Sequence, residues 1–468
     1  MIQLKLKKTM LVLSFFCAYH LGIHAQQNYI LSADSAVKIA FQNVIELKNL
    51  QIDSIIQLQQ NREILGSAFP QINGTISSTH YFNIPVTVLP DFISPSVYGV
   101  LKNEGVKDAN GNPIQMPNSF ATFPAQFGVP WSASAGFTVS QLLFQPDVFI
   151  GLKARSKSIE YAGNNIAVMK DSIKSSVYRS YYAVLIANKR LMFLKDGVKR
   201  LEKLYNDQEI MFKNGFIERL DLDKTQVNLN NIKATEKQIE NVVGLGYAAL
   251  KFVLGITQQD TLTLTDTLSN DLIKKDILNF QQFVYKDRSE IKMLTTVKDL
   301  QKLDLQRNKL QYIPTISTFF NLSKNAQRQS FNFFNNGDWF TTSLLGVNIN
   351  VPIWNGGQRE AKIKQTRLSL IKTENTIEQV KQAIDLQQQI SKTSLINALS
   401  SLDIQERNVA LAEKVYVLTK KKYEQGLGSS FELLQTEQSL QDAQSNYFQS
   451  LYDAVIAKIA LLKSIGKL

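Results

Sequence analysis

Cysteine and histidine are nearly absent from this chain. Its 468 residues hold one cysteine and three histidines, and Cys17, His20 and His24 all fall within the first 25 positions. Those positions read as a targeting segment. Lys5, Lys7 and Lys8 form a positive start, Met10 to Leu21 is a short apolar run, and Ile23-His24-Ala25 is a cleavage site before Gln26. The run is too short to span a bilayer as a helix, and Ser14-Phe15-Phe16 is a poor lipid-attachment signal ahead of Cys17. Beyond residue 25 the only histidine is His80 and there is no cysteine. This excludes disulfides, a Cys/His zinc site and a histidine-based triad. An enzyme is therefore not expected, and neither a metal nor a cofactor is implied.

Dense charge of one sign is also missing. The net charge is +12, and the targeting segment carries three lysines and no acids, so 12 − 3 leaves about +9 for the rest. The basic residues are spread beside acids along what read as solvated helix faces, which is not the footprint of a nucleic-acid groove.

Helix breakers are absent from two long stretches. From Asp147 to Lys213 there is no proline and only three glycines, and from Gln358 to Glu424 there is neither. At about 1.5 Å per residue these helices reach roughly 100 Å. Pairs such as Lys195-Asp196, Lys199-Arg200 and Glu202-Lys203 make them too charged to cross a membrane and point to coiled-coil packing. The last helix shows its seam. Leu433, Leu440, Tyr447, Ala454 and Leu461 recur every seven residues, with Thr436, Ala443, Ser450, Ala457 and Ser464 on the neighbouring position. The matching helix of the first half keeps Leu222, Leu229, Val243 and Leu250 but has Glu236 in the series.

What is present is a duplication. Glu46-Leu47-Lys48-Asn49-Leu50 recurs 244 positions later as Glu290-Ile291-Lys292-Met293-Leu294, and Phe69-Pro70-Gln71-Ile72 recurs as Ile313-Pro314-Thr315-Ile316. A second offset, 211, pairs Phe212 with Tyr423, Gly215 with Gly426, Asp221-Leu222 with Glu432-Leu433, and Gly255 with Gly466. The chain therefore divides into a targeting segment (1–25), a first repeat (26–256), a polar connector (257–277) and a second repeat (278–468). Each repeat begins with a helix, the first of them running from Ala36 to Ala68. Two strands follow, at 71–82 and 132–144, then at 315–324 and 341–354. A long helical hairpin closes each repeat, at 147–255 and 358–466. Residues 90–130, rich in proline, glycine and asparagine, read as a loop.

The strands alternate apolar and polar residues, with Phe319 breaking the pattern. They are about 10 residues long, enough to cross a bilayer as tilted barrel strands with apolar side chains toward lipid. Tyr81, Phe82, Trp131, Phe144, Trp339, Phe340 and Trp354 stand near their ends, as interfacial aromatics do. A soluble β-domain with one face in a core has the same alternation. Four strands cannot close a barrel, and open edges do not survive in lipid. Three copies would supply twelve strands. At the hairpin turns, Lys213-Asn214-Gly215-Phe216 and Gln425-Gly426-Leu427-Gly428 suit helix-to-helix connections, with Ser429 or Ser430 to cap the next helix. Pro146 and Asn355-Gly356-Gly357 mark the breaks where strand becomes helix.

This order resembles the TolC-like outer membrane efflux proteins. Val351-Pro352-Ile353-Trp354-Asn355-Gly356-Gly357 is similar to the family's strand exit. Tyr423-Glu424-Gln425-Gly426 followed by Phe431-Glu432-Leu433-Leu434 is similar to its hairpin tip, and Gln435 to Gly466, with Ala443, Tyr452, Ala457, Leu461 and Gly466, to its closing helix. The resemblance implies a mainly α fold with a membrane β-barrel portion. Long hairpins form a periplasmic α-barrel, and four strands per protomer contribute to a twelve-stranded homotrimeric barrel in the outer membrane of a Gram-negative bacterium. It implies a passive export duct that docks through Gly215-Phe216 and Gly426-Leu427-Gly428 onto a periplasmic adaptor, itself joined to an inner-membrane RND or ABC transporter. Type I protein secretion and a periplasmic coiled-coil scaffold are the alternatives. The family often narrows its tunnel with acidic side chains before the second turn. Here that region carries Lys420, Lys421 and Lys422 with Glu413 and Glu424 flanking, so an acidic ring does not carry over. Lys420, Lys421 and Glu413 are the candidate constriction, against the plainer reading of a solvated outer face.

Overall fold

A computed structural model describes residues 27–119, 121–267, 283–335 and 337–468. The targeting segment and its cleavage site lie outside the described residues, as do residues 268–277 of the connector and 278–282 of the second repeat. The first repeat runs β1 (Asn28–Leu31), α1 (Ala33–Asn43), α2 (Ile45–Gly66), β2 (Gln71–His80), β3 (Val86–Pro90), α3 (Ile93–Asn103), β4 (Thr122–Gln126), β5 (Trp131–Phe144), α4 (Pro146–Lys213) and α5 (Arg219–Leu254). After β6 (Thr261–Leu264) come α6 (Ser289–Leu310), β7 (Thr315–Arg328), β8 (Phe340–Asn350), α7 (Gln358–Glu424) and α8 (Ser430–Ser464). The duplication is visible in these bounds. Helices α2 and α6 each have 22 residues and start 289 − 45 = 244 positions apart, the offset seen in the sequence.

The chain forms two compact units. The β unit comprises Gln60–Lys153 and Leu303–Gln365. Its main sheet is antiparallel in the order β2-β5-β7-β8, so the two repeats meet at the β5–β7 pairing and β2 and β8 are its edges. Register sorts most of the side chains by polarity. One face carries Ile72, Val139, Phe320 and Leu345 in a row, with Ile76, Phe137, Leu322 and Val347 nearby. The other carries Asn73, Thr138 and Asn321 in a row, and Ser77, Ser134 and Asn325 in another. Gly136 lies opposite Ser323, where a Cβ would come within 2.4 Å of the Leu322 carbonyl oxygen, so only glycine fits.

The strands differ from their expected bounds at their ends. β7 extends to Arg328 because Lys324 to Arg328 continue the ladder against Ala135 to Trp131. β8 stops at Asn350, not residue 354, since Pro352 has no N–H to donate. β2 stops at His80 and not at residue 82. The expected loop at 90–130 holds the helix α3, and the β3–β4 hairpin runs along its two ends through Val86↔Gln126 to Pro90↔Thr122. Proline in an edge hairpin leaves the paired strand intact, which composition alone did not reveal.

The helical unit runs up to Gln59, from Ala154 to Lys302 and from Thr366 to Leu468. The expected helix from Ala36 to Ala68 is two helices, broken at Val44, whose backbone is extended with ψ 120°. The break packs against a residue far away in the chain. Gly255 closes α5 at φ 67°, and a Cβ there would sit 2.9 Å from the Asn43 carbonyl carbon. Gly466 repeats the arrangement after α8, at φ 70° and packed on Asp287 and Arg288, which are Asn43 and Val44 shifted by 244. Buried Arg288 caps that end by donating to the Lys463 and Ser464 carbonyls, both at 2.8 Å, while Glu290 pairs with its other nitrogens at 3.0 Å.

The connector contributes a strand. Its residues 261–264 form β6, parallel to β1 from Asn28↔Thr261 to Leu31↔Leu264. Leu31, Ala36, Leu47, Val177, Tyr181, Leu250 and Leu254 pack beside this seam into one core, where the Tyr181 hydroxyl donates to the Leu31 carbonyl at 2.9 Å.

Asp260 ties the start of the seam by accepting the Gln27 N–H at 3.0 Å and the Thr257 N–H at 3.1 Å. The Gln27 N–H, followed by the Thr257 contacts, holds the carboxyl below its usual range. The folded chain thus binds that proton less readily than the unfolded one. The stabilisation is fully present above the ordinary carboxylate pKa and is lost as pH falls through the lowered value. Amide-exchange protection at Gln27 and Thr257 is expected to hold at neutral pH and to fall in acid. In Asp260→Asn that acid dependence is expected to vanish.

Candidate functional site

Both hairpin tips are built by the same backbone device. Gly215 follows α4 at φ 77°; its N–H reaches the Phe212 carbonyl at 2.9 Å, and the Phe216 N–H reaches Met211 at 2.9 Å. Gly426 follows α7 at φ 71°, with the matching bonds to Tyr423 at 2.9 Å and from Leu427 to Lys422 at 3.0 Å. A positive φ is inexpensive only for glycine, and these paired bonds satisfy the last carbonyls of each helix. The next side chain then projects outward. Phe216 is 77% exposed and Leu427 72%. Ser429 caps α8 by accepting the Glu432 N–H at 3.2 Å, whereas Glu218 leads into α5 without a side-chain cap. Gly428 lies against the Lys422–Tyr423 backbone.

Pro146 is the first residue of α4, where its missing N–H costs nothing. Gly356 and Gly357 take φ values of 67° and 80° directly before α7, and the Asn355 carbonyl accepts the Gln358 N–H at 3.4 Å. Glu413 and Lys421 are exposed. Lys420 leans toward Glu424 at 3.8 Å and lines a cleft of about 200 Å³ with Arg200, Tyr416 and Glu437.

That cleft holds a feature the sequence reading missed. Glu437 on α8 is only 2% exposed and receives two hydrogen bonds from Arg200 on α4, at 2.9 and 3.1 Å. The guanidinium also lies 5.6 Å from the centre of the Tyr416 ring. Burial works against the Arg200 charge, but the Glu437 carboxylate outweighs it and holds the guanidinium above its usual pKa. Burial also pushes the Tyr416 hydroxyl up to about 12. Nearby, buried Gln208 donates to the Tyr423 hydroxyl at 3.3 Å. Both ties join the first repeat to the second. Glu437 stands next to Thr436 in the heptad series, so a period-seven reading passes over it. The irregular Glu236 of the first seam is only half-buried.

At the end of the sheet where β2 finishes, Trp131, one of the expected aromatics, joins rings that were not among them. His80 stacks on Trp131 at 4.2 Å, Trp131 meets Phe331 at 5.0 Å, and Arg328 lies 5.6 Å over Phe333 while donating to the Asn332 carbonyl at 2.6 Å. Trp354 is exposed beyond the end of β8. Among the described residues no helix is long and apolar enough to cross a membrane, and no group of three or more His, Cys, Asp or Glu is placed to hold a metal ion.

The two-faced four-strand sheet joined in sequence to helices of 68 and 67 residues is a fold shared with solved outer-membrane channel structures. Residues 302–467 match the outer membrane efflux protein family, and the chain resembles the TolC-like proteins, as its motifs suggested. It is 21% identical to the outer membrane protein TolC of Vibrio cholerae over 342 residues, covering 72% of this chain and 77% of that one. It is 19% identical to the alkaline protease secretion protein AprF of Pseudomonas aeruginosa over 285 residues, 60% of this chain and 58% of that one. The crystal structure of CusC superposes with a TM-score of 0.70 at 16% identity, covering 96% of this chain and 95% of that one.

Glu437→Gln leaves Arg200 facing a neutral group in a mostly closed cleft. The expected loss is about 1–3 kcal/mol, below that of a fully enclosed pair because the guanidinium keeps some solvent. Combining it with Arg200→Met is expected to cost less than the sum of the two changes in urea unfolding; strict additivity would show that the pair is uncoupled.

Proposed function

We propose that this protein is a passive outer-membrane export channel, acting as a homotrimer in a tripartite efflux system with a periplasmic adaptor and an inner-membrane RND or ABC transporter. The observation that carries the reading is the sheet β2-β5-β7-β8, apolar on one face, polar on the other and open at both edges. In lipid such edges must be paired. Twelve strands from three copies would place the apolar faces against lipid and the polar faces around a bore. The exposed Phe216 and Leu427 at the tips are the contacts we assign to the adaptor. Cargo moves down a path that the pump energises, and the channel itself has no catalytic step. The likeness to AprF favours type I protein secretion as the second reading, with an ABC transporter as the pump.

Expressed with its first 25 residues in a Gram-negative host, the protein is expected in the outer-membrane fraction as a detergent-resistant trimer that dissociates on heating. Recovery as a soluble periplasmic species would refute the channel. On the same reading, the lysines before the second tip act as a basic constriction. Neutralising Lys420, Lys421 and Lys422 is expected to shift single-channel selectivity toward cations; unchanged selectivity would return them to the solvated outer surface.

A further inference from the structure

Apolar side chains interrupt the polar face of the main sheet, among them Phe319 on β7 and Leu344 and Phe340 on β8. Each of these three stands in a polar row. Phe319 lies between Ser140 and Gly346, Leu344 lies opposite Asn321, and Phe340 opposite Asn325. The neighbouring polar groups are tied to one another. Asn321 donates to the Thr138 hydroxyl at 2.9 Å, and Asn325 donates to the Thr342 hydroxyl at 3.2 Å. Their hydrogen-bonding capacity is thus partly used within the sheet.

Phe319 has a dedicated seat. A Cβ on Gly346 would fall 2.6 Å from the Cζ of the ring and 2.7 Å from Cε1. Gly346 does not have a positive φ, so glycine is required there for space and not for backbone conformation. The tip of the ring rests over bare backbone, and the side chain is half-buried. Packing alone accounts for that seat but not for its neighbours on the face. Leu344 is 43% exposed and Phe340 65%. From position 346 to position 340 the stripe covers about 20 Å along β8, at roughly 3.3 Å per residue.

We propose that Phe319, Leu344 and Phe340 form an apolar track for aromatic or lipophilic cargo. The track rests on the channel reading above, which turns this face toward the bore. Aromatic cargo finds stacking and edge contacts at the two rings, and an organic cation finds their negative faces. Each contact is weak and the sites are spaced, so cargo is held briefly and released onward, as conduction requires.

The test is block of single-channel current in planar bilayers by tetraphenylphosphonium, with tetramethylammonium as the small cation control. Wild type is expected to be blocked by tetraphenylphosphonium at about three- to tenfold lower concentration than Phe319→Ser. Phe319→Tyr, which keeps the ring, is expected to match wild type, and tetramethylammonium to act alike on all three. A Leu344→Ser/Phe340→Ser variant leaves the glycine seat intact and is expected to weaken tetraphenylphosphonium block as well; it carries the test if Phe319→Ser does not assemble. Equal block in wild type and variants of normal conductance overturns the track and leaves the channel standing. If wild type conducts no current, the channel reading fails and the track with it.

Discussion

Backbone hydrogen bonding at the sheet edges is the constraint on which the rest of this structure depends. Strands β5 and β7 are paired on both sides, whereas β2 and β8 each offer one unpaired edge. In water such edges invite indiscriminate pairing, and in hydrocarbon each unmet group costs several kcal/mol. A sheet this narrow cannot close on itself. In the proposed channel further strands complete the wall, and the sorting of Ile72, Val139, Phe320 and Leu345 to one face and Asn73, Thr138 and Asn321 to the other sets the apolar side toward lipid.

The two repeats preserve backbone requirements more strictly than side-chain chemistry. Gly255 and Gly466 occupy matching places against the segments before α2 and α6, and Gly215 and Gly426 turn the hairpins with matching hydrogen bonds. All four take left-handed φ values, which glycine adopts at little cost, and Gly255 also has no room for a Cβ. Where the backbone is indifferent the halves diverge. Ile210 in the first hairpin stands where Lys421 stands in the second, and the buried Glu437 replaces nothing comparable, since Gln226 at its equivalent position is part-exposed. That carboxylate is tolerated because Arg200 reaches it from the other repeat, so the divergence of one half depends on the divergence of the other.

Much of the architecture was legible in the sequence, because its signals are local or periodic. Unbroken stretches without proline announced the long helices, alternation announced the four strands, and glycine announced the turns. The failures have a common cause. β1 and β6 are four residues each and 233 positions apart, and although Thr261-Leu262-Thr263-Leu264 alternates fully, its partner cannot be found by local reading. The break at Val44 packs against Gly255, which lies far away in sequence, and the Arg200–Glu437 pair spans 237 positions. At the site, the tip residues were legible because turns need glycine. Phe319 was visible as a breach of pattern, but its meaning required the register that sets it opposite Gly346.

The seam between the repeats has one more implication. β5 belongs to the first repeat and β7 to the second, so their pairing joins the closing strand of one repeat to the opening strand of the next. In the proposed trimer, β8 meeting β2 of a neighbouring copy is the same kind of junction. A ring of six such repeats needs six of these junctions. Carried on separate half-length chains, all six would depend on how many copies the membrane held. Fused in pairs, three of them form within a chain at an effective concentration set by the linker, whatever the abundance of the protein. Duplication thus makes assembly of the ring a matter of three encounters in place of six.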